Sequence, residues 1–302
     1  MKEKFLNFIF CLFCFTSIFL ILKNNTEVAE VIINAVNLFF KKVFVSLFPM
    51  FILNDLLISL NIPYYFYLLF NKLFIKVFST SGLGAYVFIM SLISGTPSNA
   101  YILKELVEEK NLTNEEASHL LAFTYFSNPL FLTIMLSSIF NMTTSIKIMI
   151  IHYISNIIIG IILRNKAPKI TKSSFKVTTP KIGSTLIKSI NKSISTLLII
   201  LGTVTFYMLL TYIITSIIPT NPFLKTITGG FLEITNGLNN LTNLGINSKI
   251  KEIIAIAIIS FGGLSIHTQI KAILEDTKIK YNNFLKGRIM HVIIGIVLVC
   301  II

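Results

Sequence analysis

The sequence predicts an all-α polytopic membrane protein: two pseudo-repeats with broken, re-entrant helices and about eight or nine membrane segments of bilayer-crossing or re-entrant length. Three observations carry that reading. Apolar residues make up 54% of the chain and charged ones only 13%, about half the charged share of a soluble domain. Long apolar runs recur from end to end, and a bilayer absorbs surface that water would not. Two of the apolar runs stop early at Gly- and Ser-rich breaks.

The elements follow in order. Lys2 and Lys4 precede the apolar run Phe5–Leu22, and Lys23-Asn24-Asn25 stands where a signal peptide would have a small-residue cleavage site. It reads as a retained first span with its N-terminus in the cytoplasm, the segment 1–26. Val28–Phe40, interrupted by Asn34 and Asn37, reads as a tilted or interfacial helix. Val43–Leu60 contains Asn54 and Asp55, and Tyr64–Phe78 is aromatic with Asn71, Lys72 and Lys76 inside it. His119–Phe140 and Ile146–Leu163 read as spans. Residues 27–163 form the first repeat.

From Arg164 to Lys192 the chain carries eight basic residues and no acid, which marks 164–192 as a cytoplasmic linker by the positive-inside rule. The second repeat, 193–302, opens with the span Ser193–Ile218. A Pro/Asn/Gly-rich stretch follows to Asn247, then Ile250–Ser260 and a closing span Ile289–Ile302. Within that stretch Thr228-Gly229-Gly230-Phe231-Leu232-Glu233 reads as a further re-entrant candidate.

The breaks are the informative feature. Leu83–Ile93 spans eleven residues, roughly 17 Å of helix, before Ser94-Gly95-Thr96-Pro97 cuts it. Gly95 permits a sharp change of direction and Pro97 expels Thr96 from the α region. Thr96 is then expected to cap a new helix with Pro97 at its first position. Thr113 and Glu116 read as a capping box for the helix after it. In the second half, Ser260-Phe261-Gly262-Gly263 breaks an apolar run 262 − 95 = 167 residues after Gly95, and Leu264–Leu274 restarts it. A third restart sits at Ser127-Asn128-Pro129.

Paired short, interrupted apolar segments point to a transport site. Irregular backbone at membrane depth is tolerated only inside protein or around a cavity, and each restarted helix offers free N–H groups to an anion. The expected substrate site is Ser94, Gly95, Thr96, Pro97, Ser98 and Asn99 with Ser127 and Asn128 on one side. Gly262, Gly263, Ser265, His267 and Gln269 form the other. Asp55 is a candidate coupling site for a proton or sodium ion, since an ionisable group within a span is a functional candidate; the alternative is a carboxylate near the water interface or paired with a lysine. His152 and His291 read as structural, and Arg288 as snorkelling to the interface in preference to pairing a substrate carboxylate.

Several classes are excluded. The net +13 follows from 26 Lys+Arg against 13 Asp+Glu, but no basic stretch is interleaved with aromatics, so no nucleic-acid partner is expected. Cys11, Cys14 and Cys300 lie in apolar runs and form no framework. There is no HExxH, GxSxG, P-loop or GxGxxG sequence, so no catalytic residue, metal site or cofactor is expected.

The same residues carry a resemblance. Ser94 to Ala100, Leu120 to Phe123, Ser127 to Phe131, Phe261 to Gln269 and Phe48 to Phe51 resemble recurrent stretches of the sporulation integral membrane protein family called YlbJ, from about Val28 onward. That family is classed with Gate, or nucleoside recognition, domains similar to halves of concentrative nucleoside transporters. The resemblance implies a carrier passing a small anion, dipicolinate, from the mother cell toward the forespore, in the outer forespore membrane. The chain departs from the family pattern at Thr96, Tyr125, Phe126 and Asn128. A non-transporting assembly protein of sporulation and a nucleoside carrier stand as alternatives. The oligomeric state is not legible.

Overall fold

The computed structural model describes residues 2–166, 182–217 and 221–302. Among them every regular element is helical. The N-terminal part comprises α1 (Lys2–Lys23), α2 (Asn25–Leu38), a π-helical turn (Phe39–Phe44), α3 (Val45–Ser59) and α4 (Ile62–Phe78). Then come α5 (Leu83–Ser94), α6 (Ser98–Glu108), α7 (Asn114–Leu121), α8 (Pro129–Ser137) and α9 (Met142–Leu163). The second half has α10 (Ile182–Ile217), α11 (Pro222–Leu232), α12 (Ile234–Thr242), α13 (Ser248–Phe261), α14 (Gly263–Leu274) and α15 (Tyr281–Ile301).

Among the described residues four helices are long and apolar enough to cross a bilayer: Met142–Leu163, Gly183–Ile217, Ser248–Leu274 and Tyr281–Ile301. A fifth is added if Leu47–Ser59 and Ile62–Phe78, bent by 80°, count as one broken span. The expected eight or nine segments are therefore not found among the described residues. The physical reason lies in the interruptions. The predicted span His119–Phe140 is split by non-helical backbone over 124–128, and α5 has only 12 residues. Some side chains of Phe5–Leu22 and linker residues 167–181 lie outside the described residues. Residues 182–192, expected in the linker, are already the start of α10.

Each half follows one plan: a hairpin of two short helices, an interrupted helix, and a long apolar helix. The first set is α5/α6, α7/α8 and α9, and the second is α11/α12, α13/α14 and α15. The packing repeats with the roles exchanged. α6 lies on α14 while α12 lies on α8, α7 lies on α15 while α13 lies on α9, and α9 meets α15. This is the pattern of two units related by an approximate two-fold passing between α9 and α15. His152 and His291, each the eleventh residue of its helix, stack there with ring centroids 4.7 Å apart.

The register of the repeat corrects the expectation from sequence. Gly95 corresponds to Glu233 (233 − 95 = 138), and His152 to His291 (291 − 152 = 139). Gly95 and Gly262 are not equivalent. Gly95 turns a hairpin, whereas Gly262 interrupts the 27-residue span Ser248–Leu274, and its counterpart is the break before Pro129.

Local chemistry fixes each interruption. Gly95 takes φ 81°, ψ 179°, a region open essentially to glycine. Gly262 and Gly263 both have positive φ, 86° and 69°. Asn128 caps α8 by accepting from the Leu130 and Phe131 amides at 2.8 and 3.3 Å, with Pro129 at the first helical position. Thr113 caps α7 as expected, accepting from the Glu116 amide at 3.2 Å. The reciprocal arm of the capping box is absent, because the Glu116 carboxylate accepts from the Ser81 amide at 2.6 Å and ties α7 to the start of α5.

Candidate functional site

The two hairpin tips lean on the breaks of their own repeats. A Cβ on Gly95 would lie 2.7 Å from the Asn128 amide nitrogen, and one on Gly263 would lie 3.2 Å from the Glu233 Cα. Thr96 does not cap α6. Its hydroxyl donates to the Phe126 carbonyl at 2.9 Å, across to the first break, and Pro97 occupies the capping position. The Asn128 amide reaches back to the Ile93 and Ser94 carbonyls at 3.1 and 3.4 Å.

Between the repeats is a cavity of about 80 Å³. Ser94, Thr96 and Pro97 line it from the first hairpin, and Tyr125, Ser127, Asn128 and Phe131 from the first break. Glu233, Ile234 and Thr235 come from the second hairpin, and Ile266 and Gln269 from α14. The remaining wall is apolar, from α10 and the N-terminal helices. Six of the thirteen residues expected at the substrate site line this cavity: Ser94, Thr96, Pro97, Ser127, Asn128 and Gln269.

The individual expectations divide. Gly95 and Gly262 sit at the edges as close-approach points; a Cβ on Gly262 would meet the Tyr125 hydroxyl at 2.5 Å. Ser98 and Asn99 occupy the first turn of α6, fully buried, and their side-chain polar atoms have no partner among the described residues. Neither lines the cavity. Ser265 accepts from the Gln269 amide at 3.2 Å, leaving Gln269 Oε1 unpartnered. His267 faces elsewhere: Nδ1 bonds the Tyr281 hydroxyl at 2.6 Å and Nε2 the Phe261 carbonyl at 3.1 Å.

Asp55 also lies apart from the cavity. It accepts from the Tyr101 hydroxyl at 2.9 Å, and Lys188 and Lys192 act on it electrostatically. Lys192 itself pairs with Glu105 and, at 3.6 Å, with Glu108.

Three residues here stand outside the site expected from sequence. Tyr125 lines the cavity and is a large aromatic in the non-helical stretch, a visible signal. Glu233 was singled out only as part of a possible re-entrant stretch, yet it caps α12 through the Asn236 amide at 2.9 Å and bonds the Thr235 hydroxyl. Arg288, expected to snorkel, is fully buried. Its Nη1 donates to the Ser260 carbonyl at 3.3 Å and His291 Nδ1 at 2.7 Å, and its Nη2 to the Ala122 carbonyl at 3.1 Å and Asn156 Oδ1 at 3.2 Å. The two carbonyls end α7 and α13, where the helix dipole leaves negative charge. The guanidinium also stacks 3.9 Å from the Tyr125 ring, so it clamps both interrupted helices behind the cavity wall.

Electrostatically the cavity is sparse. Among the described residues Glu233 is the only carboxylate lining it, and no Lys, Arg or His does. α8 and α12 are capped by Asn128 and Glu233, while α6 and α14 start with no side-chain cap and pack on each other. Among the described residues no cluster of His, Cys, Asp and Glu has the arrangement of a metal site.

Fold and cavity define the class: an α-helical membrane protein with interrupted helices around a largely apolar cavity that carries a few polar groups. The chain is similar to the sporulation integral membrane protein YlbJ of Bacillus subtilis (strain 168), 25% identical over 296 residues, which covers 84% of this chain and 72% of that relative. That similarity supports a sporulation-related integral membrane protein. No protein-family model matches the chain, and no solved structure does.

Proposed function

We propose that the protein is a sporulation-associated secondary carrier and that the cavity is its substrate site. The observation that supports this best is the convergence of both hairpin tips, the first break and α14 on one cavity. Interrupted backbone at such depth has a physical reason when it lines a ligand site. With its hairpin re-entering and its interrupted helix counted as one, each half makes two crossings, and the single crossing of α10 between them would then set the halves in inverted orientation, as Gate-like repeats do.

For the substrate we propose a small, flat dicarboxylate of the dipicolinate type, carried from mother cell toward forespore. α6 and α14 start without a side-chain cap next to the wall residues Pro97 and Ile266, which would favour negative charge in the cavity, and the Tyr125 ring offers a flat apolar face. The Gln269 amide and the Thr96 and Ser127 hydroxyls supply orientation. The motif resemblance favours the same ligand. A second reading, a nucleoside carrier, is favoured by one observation: Glu233 and Gln269 Oε1 are acceptors suited to a ligand rich in hydroxyl donors.

Thermal stability of the purified protein in detergent, followed against dipicolinate, phthalate and nucleosides, tests the proposal. A ligand at 100 times its dissociation constant stabilises by about 2.7 kcal/mol. A shift with dipicolinate and phthalate supports the anion carrier, and a shift with nucleosides alone supports the second reading. No shift with any of them in well-folded protein contradicts both.

A further inference from the structure

Glu233 sets a problem for an anion site. Its side chain lines the cavity and the residue is only 2% exposed, with no cation within 4 Å of the carboxylate among the described residues. Its polar contacts are the Thr235 hydroxyl and the amides of Thr235 and Asn236. Two opposite charges a few ångströms apart attract by several kcal/mol at a partly buried site, and two like charges repel as strongly. A dianion entering this cavity therefore meets an ionised Glu233 at a cost that a proton removes.

We propose that Glu233 is a proton site linked to the substrate: the cavity takes up its anion together with one proton from solvent, which resides on the Glu233 carboxyl. This rests on the anion-carrier reading and moves the coupling role from Asp55 to the second hairpin tip. Asp55 is bonded to Tyr101 and lies outside the cavity lining, so it is poorly placed to sense a ligand there. The Glu233 carboxyl is in the cavity wall, at the tip that rests on Gly263.

The other titratable groups on the surrounding elements are engaged or distant. Lys225 on α11 is exposed. On α13, Lys249 lies in the first turn, Lys251 donates to the Thr242 carbonyl and Glu252 pairs with Lys147 at 2.6 Å. On α14, His267 bonds Tyr281 and Lys271 lies 4.6 Å over the Tyr281 ring. On α10, Tyr207 bonds Thr268, Tyr212 bonds Glu27 and Lys192 pairs with Glu105. Tyr125, across the cavity, donates to the Ile259 carbonyl at 3.1 Å and separates Arg288 from the space. α8 carries no ionisable side chain.

The test is dipicolinate binding by calorimetry between pH 6 and 8, where the free ligand stays a dianion because simple carboxylic acids titrate lower. Full-length wild type and Glu233→Gln are compared, with proton uptake read by a pH electrode in weak buffer. Glutamine keeps an acceptor for the Asn236 amide, and a melting curve confirms that the variant is folded. In the wild type, affinity is expected to fall as pH rises, up to tenfold per unit, with about one proton taken up per ligand. Glu233→Gln is expected to bind with a flat pH profile and no proton uptake. Wild-type binding that is flat with pH, or an unchanged pH profile in Glu233→Gln, overturns the role of Glu233 and leaves the carrier reading standing. Absence of binding to both proteins at every pH overturns the anion reading and this inference with it.

Discussion

Replacing Gly95 by alanine puts a methyl group where the first hairpin tip touches the first break. Two costs follow. The backbone at φ 81°, ψ 179° costs a non-glycine residue about 1–3 kcal/mol. The new Cβ would also stand 2.7 Å from the Asn128 nitrogen and 2.8 Å from its Cβ, so Asn128 must move. Asn128 caps α8, and losing such a cap costs about 1 kcal/mol. Together the change should destabilise by about 3 kcal/mol, or a fall of roughly 6 °C in melting temperature in a chain of this size. Gly202 supplies the control: it lies within α10 with nothing within 4 Å of an added Cβ, where alanine should stabilise by about 0.5–1 kcal/mol. Melting curves of both variants in one detergent decide the matter. A Gly95→Ala protein as stable as Gly202→Ala would refute the contact between hairpin and break.

Two further outcomes are expected. Arg288→Met should cost at least about 3 kcal/mol, because it leaves the Ala122 and Ser260 carbonyls and Asn156 buried without their donor; a melting temperature within a degree of wild type contradicts the clamp. Thr113→Ala should cost about 1 kcal/mol through the lost cap on α7, read as faster amide exchange at Glu116 than at the first turn of α9, whose cap is untouched.

The membrane class was legible because composition needs no pairing information. The breaks at Gly95, Asn128 and Gly262 were legible because Gly, Asn and Pro impose their backbone demands locally. What escaped was correspondence. The second hairpin turns at Leu232-Glu233-Ile234, with no glycine or proline at its tip, and Glu233 takes an extended conformation, φ −147° and ψ 124°. Gly229-Gly230 marks the stretch but not the residue that turns, so the sequence comparison matched Gly95 to the wrong break. Arg288 was misplaced for a related reason. Its partners are backbone carbonyls freed by interruptions 28 and 166 residues away, and a sequence shows acidic partners but not freed carbonyls. The Thr113–Glu116 box was half right, since Glu116 found a stronger donor at Ser81 once α5 was folded beside it.

The central claim is that the cavity between the two repeats carries a small dianion across the membrane. Uptake of labelled dipicolinate into proteoliposomes tests it most directly, with wild type beside Gln269→Leu, which removes a cavity-lining amide whose Nε2 has a second hydrogen to donate beside the one that bonds Ser265. The account predicts saturable uptake by the wild type and uptake at least tenfold weaker by a folded Gln269→Leu protein, equivalent to about 1.4 kcal/mol. Wild-type uptake no faster than into protein-free liposomes, from protein that melts cooperatively, would contradict it.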